Sequence, residues 1–168
     1  MRIILGISLF ITLLLVGCSD KTDKKSGPSS AATSITQVEK KASAQQSPDR
    51  IQIIAGLPWH SHVETAFKEA QKAHKNVVIM VGEENCRWCV KMKEHTLIDT
   101  RIKEALENYV LVSVKRSDKE ALKYIPQFDG NIPSFFFMTE DKETIEPVVG
   151  YFKADDFLAY IKEIEEES

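Results

Sequence analysis

The sequence predicts an α/β domain with a mixed central β-sheet flanked by helices, and three observations favour this fold class. A continuous apolar run, Val77–Val81, is typical of a strand that is covered on both faces. A second run, Tyr109–Val114, follows a helical segment, and strands that alternate with helices favour a parallel sheet with crossover connections. Two later strands, Ser134–Met138 and Ile145–Val149, flank a short polar stretch that indicates a hairpin. The sheet should therefore also contain antiparallel strands.

Helical periodicity accounts for the segments between and after these strands. The predicted helices span about 62–74, 86–96, 100–108, 117–122 and a closing segment around 157–164. Two of them begin with capping-box patterns, Ser61 with Glu64 and Ser117 with Glu120. Trp59, which precedes the first helix, is interpreted as a packing residue.

Composition and charge exclude some classes of function. The chain has 168 residues, of which 43% are hydrophobic and 28% charged, as expected for one soluble domain with room for a core. The formal net charge of -3 shows no basic surplus. A surface that follows nucleic-acid phosphates is therefore excluded as the main function.

The first seventeen residues differ from the rest of the chain in hydropathy. Arg2 precedes an apolar run, Ile3–Val16, which is too short to span a bilayer comfortably and suits the hydrophobic region of a secretory signal. The run ends in Leu15-Val16-Gly17-Cys18, which resembles the lipobox of bacterial lipoproteins. The resemblance implies that residues 1–17 are a lipoprotein signal peptide and that Cys18 becomes the lipidated first residue. An uncleaved anchor, or ordinary secretion with an incidental Cys18, is the alternative.

Residues 18–50 are predicted to be a disordered tether. Between Ser19 and Asp49, Ile35 and Val38 are the only large aliphatic residues, so this stretch buries too little apolar surface to offset the cost of ordering. A flexible chain of roughly 30 residues reaches about 30 Å. We therefore expect the folded domain, residues 51–168, to stay near a bacterial membrane through its lipid anchor, in the periplasm or another extracytoplasmic space.

The stretch Gly82–Met92 contains two cysteines, Cys86 and Cys89, three positions apart. Such a pair can be a redox centre, half of a metal site, a structural disulfide or two buried apolar residues. A zinc or copper site needs about three or four ligands, of which the pair supplies two. The histidines show no ligand-like pairing except His60 with His62, which we expect at the surface. Because a structural disulfide with this spacing closes almost no loop and stabilises little, the residues favour a redox pair without a metal or cofactor, and leave the other readings open.

A second motif strengthens the redox interpretation. The segment Gly130–Phe137 contains Ile132-Pro133 just before a buried strand, and Val149-Gly150 precedes the last helix. Together with a Cys-x-x-Cys between a buried strand and a helix, these features resemble the thioredoxin superfamily. The resemblance implies a thioredoxin-like fold with a cis bond before Pro133, and a site in which Ile132 and Pro133 bind an extended substrate strand.

The motif departs from that of thioredoxins proper. Asn85 stands where they carry a tryptophan, Arg87 and Trp88 replace Gly-Pro, and Met80 stands where they keep a buried acid. Because it has a tryptophan between the two cysteines, the motif is more similar to that of the thioredoxin-like branch found in exported or membrane-associated proteins.

The chemistry of such a pair gives each residue of the motif an expected role. Cys86 should lie at the first turn of its helix, where unpaired N–H groups and the helix dipole favour a thiolate nucleophile. Arg87 should lower the pKa of Cys86 further. Cys89, one turn later and more buried, should attack the mixed disulfide and release the product. Trp88 either packs on the surface or forms part of a substrate platform.

The function expected from these residues is thiol–disulfide exchange by a monomeric, lipid-anchored thioredoxin-like enzyme acting on protein thiol and disulfide clients. Oxidation, reduction and disulfide rearrangement are all compatible with an oxidising compartment. Reduction of selected clients is favoured, because a single anchored domain suits a dedicated membrane or soluble redox partner. The alternative is a thioredoxin fold that binds a client or a copper ion without turnover.

Overall fold

The computed structural model describes residues 48–167, and within them six strands form one sheet between helices. The strands are β1 (Ile51–Ile54), β2 (Leu57–His60), β3 (Val77–Gly82), β4 (Val110–Lys115), β5 (Ser134–Met138) and β6 (Thr144–Val149). The helices are α1 (Val63–Ala73), α2 (Arg87–Lys91), α3 (Thr100–Leu106), α4 (Lys119–Leu122) and α5 (Ala154–Glu167), and α2 continues into a π-helical turn, Met92–Thr96. The predicted signal peptide, Cys18 and nearly all of the predicted tether lie outside the described residues.

The sheet is mixed, which confirms the predicted fold class. Its strand order is β1-β2-β4-β3-β5-β6. The central strand β3 runs parallel to β4 and antiparallel to β5, and β5 and β6 form an antiparallel hairpin. Because the register pairs Val81 with Ser134, the residues before β5 lie beside the end of β3, where the cysteine motif begins.

Both faces of the central strands β3, β4 and β5 are buried, which explains their continuous apolar runs. Alternate residues of β5 point to opposite faces. Phe135 and Phe137 belong to a core with Phe157 of α5, whereas Phe136 belongs to a second core with Phe67 of α1. These clusters hold the ends of β3 and β5 in a fixed relation and thereby position the cysteine pair.

The first hairpin, β1–β2, was not predicted from the sequence. Its two strands have four residues each and are joined at Ala55 and Gly56, both of which have positive φ angles. Trp59 of β2 is fully buried and donates its indole N–H to the Ile54 carbonyl, 3.2 Å away, which confirms its packing role.

Both predicted capping boxes are wrong. The N-cap of α4 is Asp118, whose carboxylate accepts the N–H groups of Glu120 and Ala121. The N-cap of α1 is His62, whose side chain makes no capping hydrogen bond. The side-chain acceptor at the start of α1 is instead Asp49, which is distant in the sequence. Its carboxylate accepts the N–H groups of Ser61 and His62, twelve and thirteen positions later, at 3.0 Å.

The expected surface position of His60 is also wrong, since only 6% of this residue is exposed. Its Nδ1 lies 2.7 Å from Asp49 Oδ2, and its Nε2 lies 3.2 Å from Glu69 Oε2. Burial raises the pKa of Asp49, but its hydrogen bonds with His60 and Ser61 outweigh this effect and hold that pKa below its usual value. These contacts fasten the segment before β1 onto β2 and α1.

Candidate active site

The cysteine pair lies where β3 ends and α2 begins. Cys86 is the N-cap of α2, and its Sγ accepts the Cys89 N–H at 3.1 Å. The two sulfurs form a disulfide, with the Cα atoms 5.2 Å apart. Cys86 is half-buried, whereas Cys89 is only 3% exposed. An attacking molecule therefore has better access to Cys86.

The Ile132–Pro133 peptide bond is cis, as predicted, and lies next to the pair. The Ile132 carbonyl oxygen is 4.0 Å from Cys86 Sγ. Pro133 is buried, and its carbonyl oxygen accepts the Gly150 N–H at 2.8 Å. The structure thus brings together four of the predicted site residues, Cys86, Cys89, Ile132 and Pro133.

Trp88 is 44% exposed and stacks on Tyr151, with the ring centroids 5.5 Å apart. The Arg87 guanidinium lies 5.0 Å from the Trp88 ring centroid. The Lys91 ammonium lies 5.2 Å from the Trp88 ring and 4.7 Å from the Tyr151 ring. We call these four residues the cationic aromatic patch. Tyr151 and Lys91 were not predicted as site residues. The aromatic pair that follows Gly150 in the sequence was the one signal for Tyr151.

Hydrogen bonds on both sides hold Tyr151 in this position. Gly150, which has a φ of 113°, donates its N–H to Pro133, and the buried Thr96 donates its hydroxyl to the Phe152 carbonyl at 2.5 Å. Thr96 is the last residue of the π-helical turn, and it is buried on the same side as Met92, four positions earlier. The patch is therefore preorganised by the same loop that contacts the cis-proline.

A groove of about 190 Å³ is lined by Cys89 but by no residue of the cationic aromatic patch. Glu84 and Lys115 also line it and form an ion pair with each other. The hydrogen bond from Lys115 lowers the pKa of Glu84. Met80 of β3 is buried, and β3 contains no acidic residue, so this strand supplies no acid to Cys89.

Neither a metal cluster nor a spanning helix occurs in the part of the chain that the structure describes. No group of three or more His, Cys, Asp and Glu side chains among residues 48–167 is placed to hold a metal ion. Over the same residues, every helix is too short or too polar to cross a membrane.

The mixed sheet, the Cys-x-x-Cys pair at the start of a helix and the adjacent cis-proline together define a thioredoxin-like fold with a redox-type disulfide centre. Residues 40–156 match the Thioredox_DsbH family model, which is described as a protein of unknown function, DUF255, and the chain belongs to this family. No curated protein matches the sequence.

Solved structures with the same fold include three that bear on this chain. A thioredoxin from Thermus thermophilus is 21% identical, with 62% of this chain and 84% of that protein covered and a TM-score of 0.55. The protein described as DsbH oxidoreductase is 16% identical, with 73% and 92% covered and a TM-score of 0.52. The oxidised C-terminal domain of Neisseria meningitidis DsbD is 23% identical, with 60% and 91% covered and a TM-score of 0.51. At these identities the likeness establishes the fold.

Proposed function

We propose that this chain is a membrane-tethered, extracytoplasmic thiol–disulfide oxidoreductase that acts on protein disulfides, with reduction of selected clients favoured. The position of Cys86 carries this proposal. Cys86 is partly exposed, and its sulfur accepts an N–H group at the first turn of α2 and lies beside the cis-proline segment. Because N–H groups at a helix start stabilise a thiolate, we assign Cys86 as the nucleophile and the buried Cys89 as the resolving thiol.

The proposed reaction starts from the reduced pair. The Cys86 thiolate attacks one sulfur of the client disulfide, a Cys86–client bond forms, and the other client sulfur leaves with the electron pair and takes up a proton. Cys89 then loses its proton and attacks Cys86 Sγ, which forms the Cys86–Cys89 disulfide and releases the second client thiol. The client gains two electrons and the pair loses two, so an external dithiol donor must reduce the pair before the next cycle.

The cis-proline segment provides the proposed binding site for the client. The Ile132 carbonyl accepts a hydrogen bond from an extended client segment near Cys86. Pro133 has no N–H, so it offers no competing donor at that position. We propose that the client strand lies along this segment while its disulfide faces Cys86.

Disulfide reduction and trapping test the proposed chemistry. The purified chain with a dithiol donor should reduce insulin, and both Cys86→Ser and Cys89→Ser should abolish the catalysed rate. Cys89→Ser should also trap clients as mixed disulfides, because the resolving thiol is gone, whereas Cys86→Ser should trap none. The measurement is non-reducing electrophoresis of a membrane extract incubated with each variant.

The same material tests the alternative, a client-binding or copper-binding module without turnover. The enzyme proposal would be contradicted if the purified chain contained stoichiometric copper, reduced no insulin and formed no trapped complexes. Equal trapping by both variants would remove the assignment of Cys86 as nucleophile.

The lipid anchor is a separate part of the proposal, and the lipobox-like sequence supports it. Cys18→Ser should move the protein from the membrane fraction to the soluble extracytoplasmic fraction, because acyl chains on this cysteine provide the anchor. Insulin reduction should be unchanged, since the predicted tether separates the lipid from the domain. Unchanged detergent partitioning of the variant would contradict the anchor.

A further inference from the structure

We propose that the cationic aromatic patch selects clients that carry an acidic side chain close to their disulfide. This inference deepens the proposed function and rests on it. Thiol–disulfide exchange by Cys86 does not itself require a charged neighbour on the client. The patch therefore sets which disulfides are attacked quickly.

The charge of the patch is opposite to that of the rest of the domain. Residues 48–168 contain 16 Lys and Arg against 22 Asp and Glu, a formal charge of -6. Among the described residues, neither Arg87 nor Lys91 has a carboxylate within 4.0 Å, whereas Arg101 contacts both Asp99 and Asp155 at 2.7 and 2.9 Å. Beside the disulfide, the part of the chain that the structure describes thus presents two cations to which it offers no anionic partner.

The Trp88 and Tyr151 rings attract the Lys91 ammonium but do not provide good acceptors for its hydrogen bonds. The ammonium lies within 5.2 Å of both ring centroids, a distance at which the ring faces attract a cation. Ring faces accept hydrogen bonds poorly, and an ammonium has three donors. A client carboxylate can take these donors in charge-assisted hydrogen bonds, while the apolar part of its side chain packs on Trp88.

The patch lies within reach of a client bound at the cis-proline. Lys91 lies five positions after Cys86 on one helical segment, which corresponds to roughly 7.5 Å along the axis. An extended client advances about 3.3 Å per residue. A client side chain two or three residues from the attacked cysteine therefore meets the patch, whose Tyr151 is already fixed by the Gly150 and Thr96 hydrogen bonds.

Matched peptides test the selection on the reduced full chain. Each peptide carries one cysteine in a disulfide with a small chromogenic thiol, and the three peptides differ only in having Glu, Gln or Lys two and three residues from that cysteine. Attack by Cys86 joins it to the peptide and releases the chromogenic thiolate, which gives the second-order rate constant. We expect the Glu peptide to react at least fivefold faster than the Lys peptide in low salt, with a smaller ratio in 0.5 M salt because exposed charges are screened.

Variants assign the preference to the patch. Lys91→Gln should reduce the Glu-to-Lys ratio, and Lys91→Glu should bring it to one or invert it. The matched control Lys162→Glu changes an exposed lysine of α5 that has no role in the site, and should keep the wild-type ratio. Circular dichroism and complete Cys86–Cys89 oxidation check that each variant is folded.

The outcomes separate this inference from the proposed function. Equal rates for the Glu and Lys peptides, or a preference that survives Lys91→Glu, would overturn the selection of acidic clients and leave thiol–disulfide exchange standing. No attack on any of the three peptides would overturn the proposed function and this inference together.

Discussion

At Cys86 one sulfur atom both caps a helix and forms the disulfide, because Sγ accepts the Cys89 N–H at the start of α2. Serine is a preferred N-cap, whereas alanine leaves the first-turn N–H groups without a side-chain acceptor, at a cost of about 1 kcal/mol. Cys86→Ser is therefore a better inactive variant than Cys86→Ala, since it removes the nucleophile and keeps an acceptor for the helix.

Arg87→Glu should make the pair more reducing. Arg87 directly follows Cys86 in the sequence, and we expect its charge to stabilise the Cys86 thiolate and with it the reduced form. Reversing this charge should change that stabilisation by on the order of 1 kcal/mol. Since 30 mV corresponds to about 1.4 kcal/mol for this two-electron couple, the potential should fall by about 10 to 30 mV. Equilibration with glutathione buffers measures it. Arg87→Lys is the control and should stay near the wild-type value, and a rise in potential for Arg87→Glu would contradict the expected role.

The sequence identified the cysteine pair and Ile132-Pro133 because the chemistry of each is encoded within a few neighbouring residues. The cationic aromatic patch could not be found in this way. Trp88 and Tyr151 are 63 positions apart and meet only because β5 and β6 pair in one register and Gly150 turns the chain back toward Pro133. Contacts that depend on strand register have no local sequence pattern.

At the scale of elements, the β5–β6 hairpin determines the site as much as α2 does. Pro133 precedes one strand and Gly150 follows the other, and the hydrogen bond between them closes the end of the hairpin beside Cys86. Gly150 can adopt its φ of 113° because it has no Cβ.

Gly150→Ala should destabilise the domain by about 1 to 3 kcal/mol, because an L side chain is strained at this φ angle even where space is free. Urea denaturation measures the change in the free energy of unfolding. Gly82→Ala is the matched control: its φ is not positive, and the added methyl would meet Cys89 Sγ at 3.6 Å, an ordinary contact. An equal loss in both variants would show that backbone conformation is not the cause.

The long, strongly patterned elements were predicted correctly, and the misses have physical reasons. β1 and β2 are too short for alternation to be distinctive, and β2 contains Pro58. The capping of α1 comes from Asp49, which no local pattern connects with that helix. The π-helical turn at Met92–Thr96 has no sequence signature of its own.

At the scale of the whole molecule, Asp49 connects the predicted tether to the folded domain. It binds His60 and the backbone at Ser61 and His62, and Arg50 donates its N–H to the Ser61 hydroxyl at 2.8 Å. Ordered contacts thus begin two residues before β1. A carboxylate with these partners stabilises the fold only while it is ionised.

Asp49→Asn should lower the free energy of unfolding by about 1 to 2 kcal/mol at neutral pH, since hydrogen bonds to a charged group are lost. The pKa of Asp49 is lowered in the folded state, so its contribution is complete above the unfolded value of about 3.9 and disappears as the pH falls through the folded value. The difference between wild type and variant should therefore shrink below about pH 4. Urea denaturation at pH 7 and in acid measures it, with the exposed Asp141→Asn as control. A difference that is constant over this range would contradict the role of the charge.

The β5–β6 register also has a practical consequence for labelling. The turn at residues 139–143 lies at the end of the hairpin opposite to Pro133 and Gly150, about five residues or roughly 16 Å of strand away. Asp141 is exposed in this turn. A fluorophore or short epitope introduced there would report on the position and tumbling of the domain while leaving the cysteine pair and its binding surface undisturbed.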